Sequence, residues 1–352
     1  MIDIDDMDNM VVVDGSAGEG GGQVIRTSVA LSALTGRPVK ITNIRANRCM
    51  SGLRAQHVSG INAVADLCNA QTECVSVGSE EIEFVPNKIE TKHIDVKIAT
   101  AGSIGLVLQA LLIPAMHIKE KIEINISGGA VFGKWSPPLL YTKHVLFPIL
   151  LKMGYRIDMD ILKYGYYPKG GSEVKVVVQP AKELKTLDLS DRGRLLRISG
   201  AAHSSSSLKK GKVSEREAEA AEKYLSDKYG VPVNVDVKYS GTDSVGTSIV
   251  LWAEFENTVM GADALGDVGV RAETVGHSAA KILSGFIDSG ATVDEYMGDQ
   301  LPPYLASVKG MSSYTMPEMS SHAKTNIDVV KMFLDKDFVL GKEKRCTIIT
   351  VK

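Results

Sequence analysis

At 352 residues, 44% of them hydrophobic, the chain is long enough for two domains or for one large domain carrying an insertion. Its formal net charge of −2 excludes wholesale coating of a polyanion, so any nucleic-acid contact must rest on a local basic patch. The longest apolar run, 104–116, is broken by Gln109 and Pro114 and is too short to span a bilayer, and four cysteines without metal-type pairing argue against a disulfide scaffold.

The acidic start, with Asp3, Asp5, Asp6 and Asp8, lacks the basic region and apolar core of a signal peptide and reads as a solvated tail on a soluble, cytoplasmic protein. A strand at 11–13 leads through a glycine-rich turn into a helix over 24–34, which Gly36 and Pro38 end. A strand at 39–44, a basic loop at 45–54 and a helix at 55–68 follow, the helix with Val58, Ile61, Ala65 and Cys68 on one face. The same order returns as a strand at 96–99, a helix at 104–116, a strand at 122–127 and a helix at 137–153. A third copy can be assembled from a strand at 174–178, a helix at 273–289, a region around 296–300 and the helix after His322.

A repeat of this length is too long for a solenoid unit. Between 185 and 272 the texture changes: a strand at 195–200, a Ser- and Lys-rich linker that reads as a solvated loop, a charged helix at 214–229, and strands at 233–239 and 248–254. The expected fold class is therefore α/β (α+β): a large domain of three repeated βαβαβ-type units, 1–184 and 273–352, with a smaller inserted α/β domain at 185–272.

Several stretches carry polar groups suited to chemistry. The turn at 18–22 is not a Walker A loop, because no Gly-Lys-Ser/Thr follows, but it holds Glu19, and Gln23 and Arg26 lie in the first helical turns. A carboxylate beside an anion-friendly helix start suits a divalent cation bridging protein and phosphate, and Arg26 can fork onto phosphate oxygens; the plain alternative is a helix-dipole Glu and a surface Arg. Arg45, Arg48 and Arg54 place three guanidinium groups in ten residues, and Gln56 and His57 close the loop, a set that fits phosphate recognition or an exposed loop equally. Gln109, inside an apolar helix, is either a satisfied core amide or a group reading a ligand edge. Tyr296, Met297, Gly298, Asp299 and Gln300 combine a stackable ring, a carboxylate and an amide, which suits gripping a nucleotide or ending a helix. Thr325 reads as an N-cap with Asp328 three residues on, so His322 is expected just outside a helix start, where the dipole favours bound phosphate and an uncharged ring.

In order, the segments 14–26 (DGSAGEGGGQVIR), 45–48 (RANR), 52–57 (GLRAQH), 165–171 (GYYPKGG), Asp299-Gln300 and 321–326 (SHAKTN) resemble the RNA 3′-terminal phosphate cyclase family, and the resemblance runs through the whole chain. It implies three repeated α/β units with a smaller insertion. It also implies conversion of an RNA 3′-phosphate to a 2′,3′-cyclic phosphate with ATP and a divalent metal, Mg2+ or Mn2+. By the same resemblance His322 matches the histidine that is adenylylated and Glu19 the carboxylate near metal and triphosphate. Gln109, Tyr296, Met297, Gly298, Asp299 and Gln300 match the ATP site, while Gln23, Arg26, Arg45, Arg48 and His57 match positions lining the phosphate and RNA end. Asn47 and Ser51 stand where Gly and Pro would be expected, and Tyr164 where a basic residue usually precedes Gly165.

The partners implied are ATP and RNA with a 3′-phosphate end, no membrane, and an oligomeric state, homo-oligomer included, that the sequence leaves open. Two other readings compete: a non-catalytic RNA-binding or ribosome-assembly factor on the same scaffold, which would lack an ATP-dependent product, and an enolpyruvyl transferase, which needs no covalent histidine.

Overall fold

A computed structural model describes residues 9–352 apart from Trp135 and Lys344; the acidic start lies outside the described residues. The first unit runs β1 (Val11–Asp14), α1 (Gly22–Thr35), β2 (Val39–Thr42), α2 (Ala55–Cys68), β3 (Gln71–Glu73) and β4 (Ile82–Val85). Its sheet has the order β1-β2-β4-β3, with β1 and β2 parallel and the other neighbours antiparallel. Gly36, left-handed at φ 71°, closes α1 by donating its N–H to the Ser32 carbonyl.

The second unit repeats this plan with β5 (His93–Ser103), α3 (Ile104–Ala115), β6 (Ile122–Ala130), a helical stretch, β7 (Ile157–Lys163) and β8 (Glu173–Val178). The stretch is α4 (Leu139–Tyr141), a π-helical turn (Thr142–Leu146) and α5 (Phe147–Lys152). The order β5-β6-β8-β7 has the same parallel and antiparallel senses as the first sheet. The strand at 174–178, expected to open the third copy, therefore completes the second.

The third unit opens with β9 (Asp188–Leu189) and is at once interrupted by β10 (Leu195–Ser205), α6 (Val213–Tyr229), β11 (Val233–Ser240), β12 (Thr247–Phe255), β13 (Val259–Leu265) and α7 (Ala272–Ser289). It resumes with α8 (Glu295–Ala306), β14 (Ser312–Met316), α9 (Ser321–Phe333), β15 (Phe338–Glu343) and β16 (Cys346–Val351). Its sheet, β9-β14-β16-β15, has β9 and β14 parallel and the rest antiparallel, so each unit reads β-α-β-α-β-β. The region around 296–300 is accordingly the unit's first helix rather than its second strand.

The interrupting strands form their own sheet, β11-β10-β12-β13, over a cluster of buried side chains separate from that beneath the other three sheets. Helix α7 joins this second cluster through Val275, Ala279, Leu283 and Ile287. The segment 273–289, assigned to the large domain from sequence, packs instead on the inserted sheet and α6, because its four-residue apolar spacing makes one stripe that the sheet covers. The approach is closest at Gly276, where an added Cβ would stand 2.0 Å from the Glu217 carbonyl oxygen. Gly276→Ala is expected to push α6 and α7 apart and lower stability by about 1–3 kcal/mol, read as a shift in the urea midpoint.

Among the described residues no helix is long and apolar enough to cross a membrane.

Candidate functional site

A cleft of about 520 Å³ opens where α1, α3, α8 and α9 meet β13. Its lining includes Gln23, Arg26, Gln109, Tyr296, Asp299, Gln300 and His322, seven of the residues singled out from sequence.

Helix α9 starts earlier than expected. Ser320 is the N-cap, its Oγ accepting the Ala323 N–H at 2.9 Å, while Thr325 lies a turn inside and donates its hydroxyl to the Ser321 carbonyl at 2.7 Å. His322 is thus in the first turn, not before it. Thr325 takes on a different task, since its Oγ1 accepts the Glu19 N–H at 3.4 Å and packs against Gly18, where a Cβ would come within 2.3 Å of that oxygen. The glycine at φ 58° therefore lets the turn lie flat on α9, which carries Glu19 to the histidine.

The His322 ring, with 49% of its side chain exposed, is held on both nitrogens. Nδ1 lies 2.5 Å from the Gln23 Oε1 and Nε2 lies 3.1 Å from a Glu19 carboxylate oxygen. The Gln23 Nε2 in turn donates to the His322 carbonyl at 3.3 Å, which fixes which end of the amide faces the ring. An amide oxygen only accepts, so the Nδ1 contact requires a proton on Nδ1; the Nε2 contact with the Glu19 carboxylate requires one on Nε2 by the same rule, so Nε2 has a free lone pair only when Glu19 turns away from the ring.

The α8 residues sort by helical geometry. Tyr296, Asp299 and Gln300, spaced i, i+3 and i+4, share the face toward the cleft. Met297 is fully buried and Gly298 is pressed against Met316, so these two belong to the core of the third unit and not to the cleft. Gln109 donates to Gln300 Oε1 at 3.0 Å, and Gln300 donates to the Tyr296 carbonyl at 2.9 Å, so the Gln109 amide is both satisfied and at the cleft wall. Asp299 accepts the Ser320 hydroxyl, and burial together with the Glu295, Asp294 and Glu19 carboxylates pushes it up to about 7. Its carbonyl takes the Asn326 amide at 2.6 Å, while Thr27 donates to the other end of that amide at 2.6 Å, joining α1, α8 and α9.

The arginine loop lies beside the cleft. Arg48 donates to the Glu19 carbonyl at 2.8 Å and stands 3.6 Å from its carboxylate. Arg26, half-buried, is brought down to about 10 by desolvation. His57 is buried against Gly22 and Arg26, with Nδ1 accepting the Arg54 N–H at 3.1 Å; burial, then Arg26, Arg45 and Arg54, pushes it down to about 3. That ring is an uncharged cap for α2. Arg45, backbone left-handed at φ 58°, is pulled down by burial and by Arg54 and Arg48, and its buried Nε has no partner among the described residues.

The loop departures are accommodated locally. Asn47 donates to the Ser16 carbonyl at 3.3 Å and Ser51 bonds Glu80 at 2.5 Å. Tyr164 is stacked on His203 at 4.1 Å with the Lys238 ammonium 4.6 Å from its ring centroid, so a cation from the inserted sheet stands where a basic side chain was expected.

Sequence reasoning missed Asp263, Lys134, Glu295 and Tyr304 on the cleft wall. The one available signal was an aspartate in an otherwise apolar strand, 259–265. Among the described residues no group of three or more His, Cys, Asp or Glu side chains is placed to hold a metal ion.

The family model for RNA 3′-terminal phosphate cyclase matches residues 17–340. The chain is 44% identical over 334 residues to the RNA 3′-terminal phosphate cyclase of Pyrococcus abyssi, covering 95% of this chain and 96% of that protein. It is likewise 44% identical over 333 residues to the one of Thermococcus kodakarensis, covering 95% of each, and 39% identical over 351 residues to the one of Methanopyrus kandleri, covering 98% and 99%.

Proposed function

The chain belongs to the RNA 3′-terminal phosphate cyclase family, and on that premise we propose that it is a ligase that closes an RNA 3′-terminal phosphate to a 2′,3′-cyclic phosphodiester with ATP. The observation that carries the reading is the Gln23–His322–Glu19 contact set at the lip of a cleft large enough for a nucleotide. With Glu19 turned away from Nε2 and the ring proton on Nδ1, His322 has the Nε2 lone pair free for the α-phosphorus of ATP, and attack expels pyrophosphate and leaves a phosphoramidate. Arg48 and the start of α9 offer positive potential to the charge that grows on the phosphoryl oxygens. Glu19 would hold Mg2+ or Mn2+ jointly with the triphosphate oxygens, and that ion would supply further positive charge.

The RNA 3′-phosphate then takes AMP from the histidine, and the resulting anhydride gives its phosphorus a good leaving group. The neighbouring 2′-hydroxyl, held close by the ribose itself, attacks and releases AMP. In this reading Tyr296, Asp299, Gln300 and Gln109 hold the nucleoside, Arg26 and Gln23 line the path of the phosphates, and Arg45, Arg48 and His57 shape the wall nearest the RNA end.

The test is a 3′-phosphorylated oligonucleotide incubated with the protein and Mg2+, with and without ATP. We expect the end to become phosphatase-resistant only with ATP. An end that binds but stays phosphatase-sensitive would sink the proposal and leave the RNA-binding alternative.

A further inference from the structure

The inserted unit contributes one wall of the cleft, Asp263, Ala264 and Leu265 at the end of β13, and Asp263 is the only one of these three with a polar side chain. Its neighbour Asp294 is fully supplied with donors: the Tyr141 hydroxyl at 2.7 Å, the Gly261 N–H at 2.8 Å and the Met297 N–H at 2.9 Å. The Asp263 side chain has no hydrogen-bond partner among the described residues, although it is half-buried. Two carboxyls this close divide their roles by the donors each receives. Asp294 takes three and serves as the N-cap of α8, so Asp263 is left as the group whose partner must come from whatever occupies the cleft.

The surroundings indicate what that occupant presents. Leu106, Pro137, Leu265 and Tyr296 give the cleft apolar lining besides Asp263, and His322, Gln23 and Arg26 line the same cleft. A half-buried carboxyl in a cleft with apolar lining suits a planar heterocycle bearing an N–H donor. Resting on the reading of the cleft as an ATP site, we propose that Asp263, from the inserted unit, pairs with the N6 amino edge of the adenine ring.

Burial, then the Asp294 carboxylate, pushes the Asp263 carboxyl up to about 7; Tyr296 also feels its charge, and Glu295, Asp299 and Lys134 are the other titratable groups lining the same cleft, besides His322 and Arg26 already named and Tyr304. A carboxyl in its acid form has one acceptor and one O–H donor side by side. Adenine offers the complement, an N6 amine next to a ring nitrogen, whereas a purine with hydrogen at C6 has no amine for the acceptor to take. Asparagine carries the same donor and acceptor pair as the acid form, so it is the informative replacement.

The experiment is calorimetric binding of ATP, GTP and purine riboside triphosphate, which carries hydrogen at C6, to the full-length protein and to Asp263→Asn and Asp263→Ala. Wild type and Asp263→Asn are expected to bind ATP about tenfold or more tighter than purine riboside triphosphate, and Asp263→Ala to bind the two alike, with GTP showing whether the pair also accepts the guanine edge. Wild type binding ATP and the C6–H analogue equally, or Asp263→Ala keeping the preference, overturns the assignment. Absence of any ATP binding to wild type overturns the nucleotide reading itself. That result is distinct from ATP binding without discrimination.

Discussion

His322→Ala is expected to abolish transfer of label from α-labelled ATP to the protein, a loss of at least about 10³-fold. The wild-type adduct should be acid-labile and alkali-stable, as a phosphorus–nitrogen bond is. The ring lies at the surface in the first turn of α9, and the N-cap hydrogen bond is made by Ser320, so removal should leave the fold intact and move the melting midpoint little. A second arm separates loss of the nucleophile from damage to the cleft. Supplied with an oligonucleotide already carrying a 3′-adenylate anhydride, His322→Ala should still close the ring and release AMP, because that step uses the RNA's own 2′-hydroxyl. Label that stays off wild type, or that persists in the variant, contradicts the scheme; so does a variant that cannot close the activated end while still binding it.

What the sequence disclosed follows from which features are local. Helix α2 was placed to the residue because the basic loop ending at Arg54 and the apolar face of Val58, Ile61, Ala65 and Cys68 lie within one stretch. The repeat was visible for the same reason, since each unit carries its own strand–helix pattern. The third copy was misassembled because β9 is only two residues long, Asp188–Leu189, and offers no periodicity to detect; the adjacent strand at 174–178 took its place. Helix α7 was given to the wrong unit because its stripe says that it is covered, not by what. Within the site, Tyr296, Asp299 and Gln300 could be named but not separated from Met297 and Gly298 until the segment proved to be a helix. Asp263 escaped because its meaning depends on Asp294, thirty-one positions away in the chain but adjacent in space.

Gln23 adds a hold on the His322 ring to its place on the cleft wall, and its substitution should have the second-largest effect. The sequence suggested a phosphate ligand, yet both ends of its amide are engaged by His322, Oε1 with Nδ1 at 2.5 Å and Nε2 with the carbonyl at 3.3 Å. We expect Gln23→Leu, which keeps the bulk and removes both bonds, to slow adenylylation roughly 10²-fold while changing the KM for ATP less than about threefold. The reason lies in the two forms of an uncharged imidazole. With Nδ1 anchored to an acceptor the proton stays there, and Nε2 is the nucleophile once Glu19 turns from it; released by Gln23, the ring can carry its proton on Nε2, the atom that has to attack, and can also turn away from the cleft. Gln23→Glu discriminates orientation from mere packing, because a carboxylate still accepts from Nδ1 but cannot donate to the His322 carbonyl. It should recover part of the rate lost in Gln23→Leu and move the pH–rate profile to higher pH, since an added negative charge favours the protonated ring and more alkaline solution is then needed to free Nε2. A phosphate-binding role predicts a different outcome: the KM for ATP or RNA would rise in both variants, and most in Gln23→Glu, where the new charge repels the phosphate.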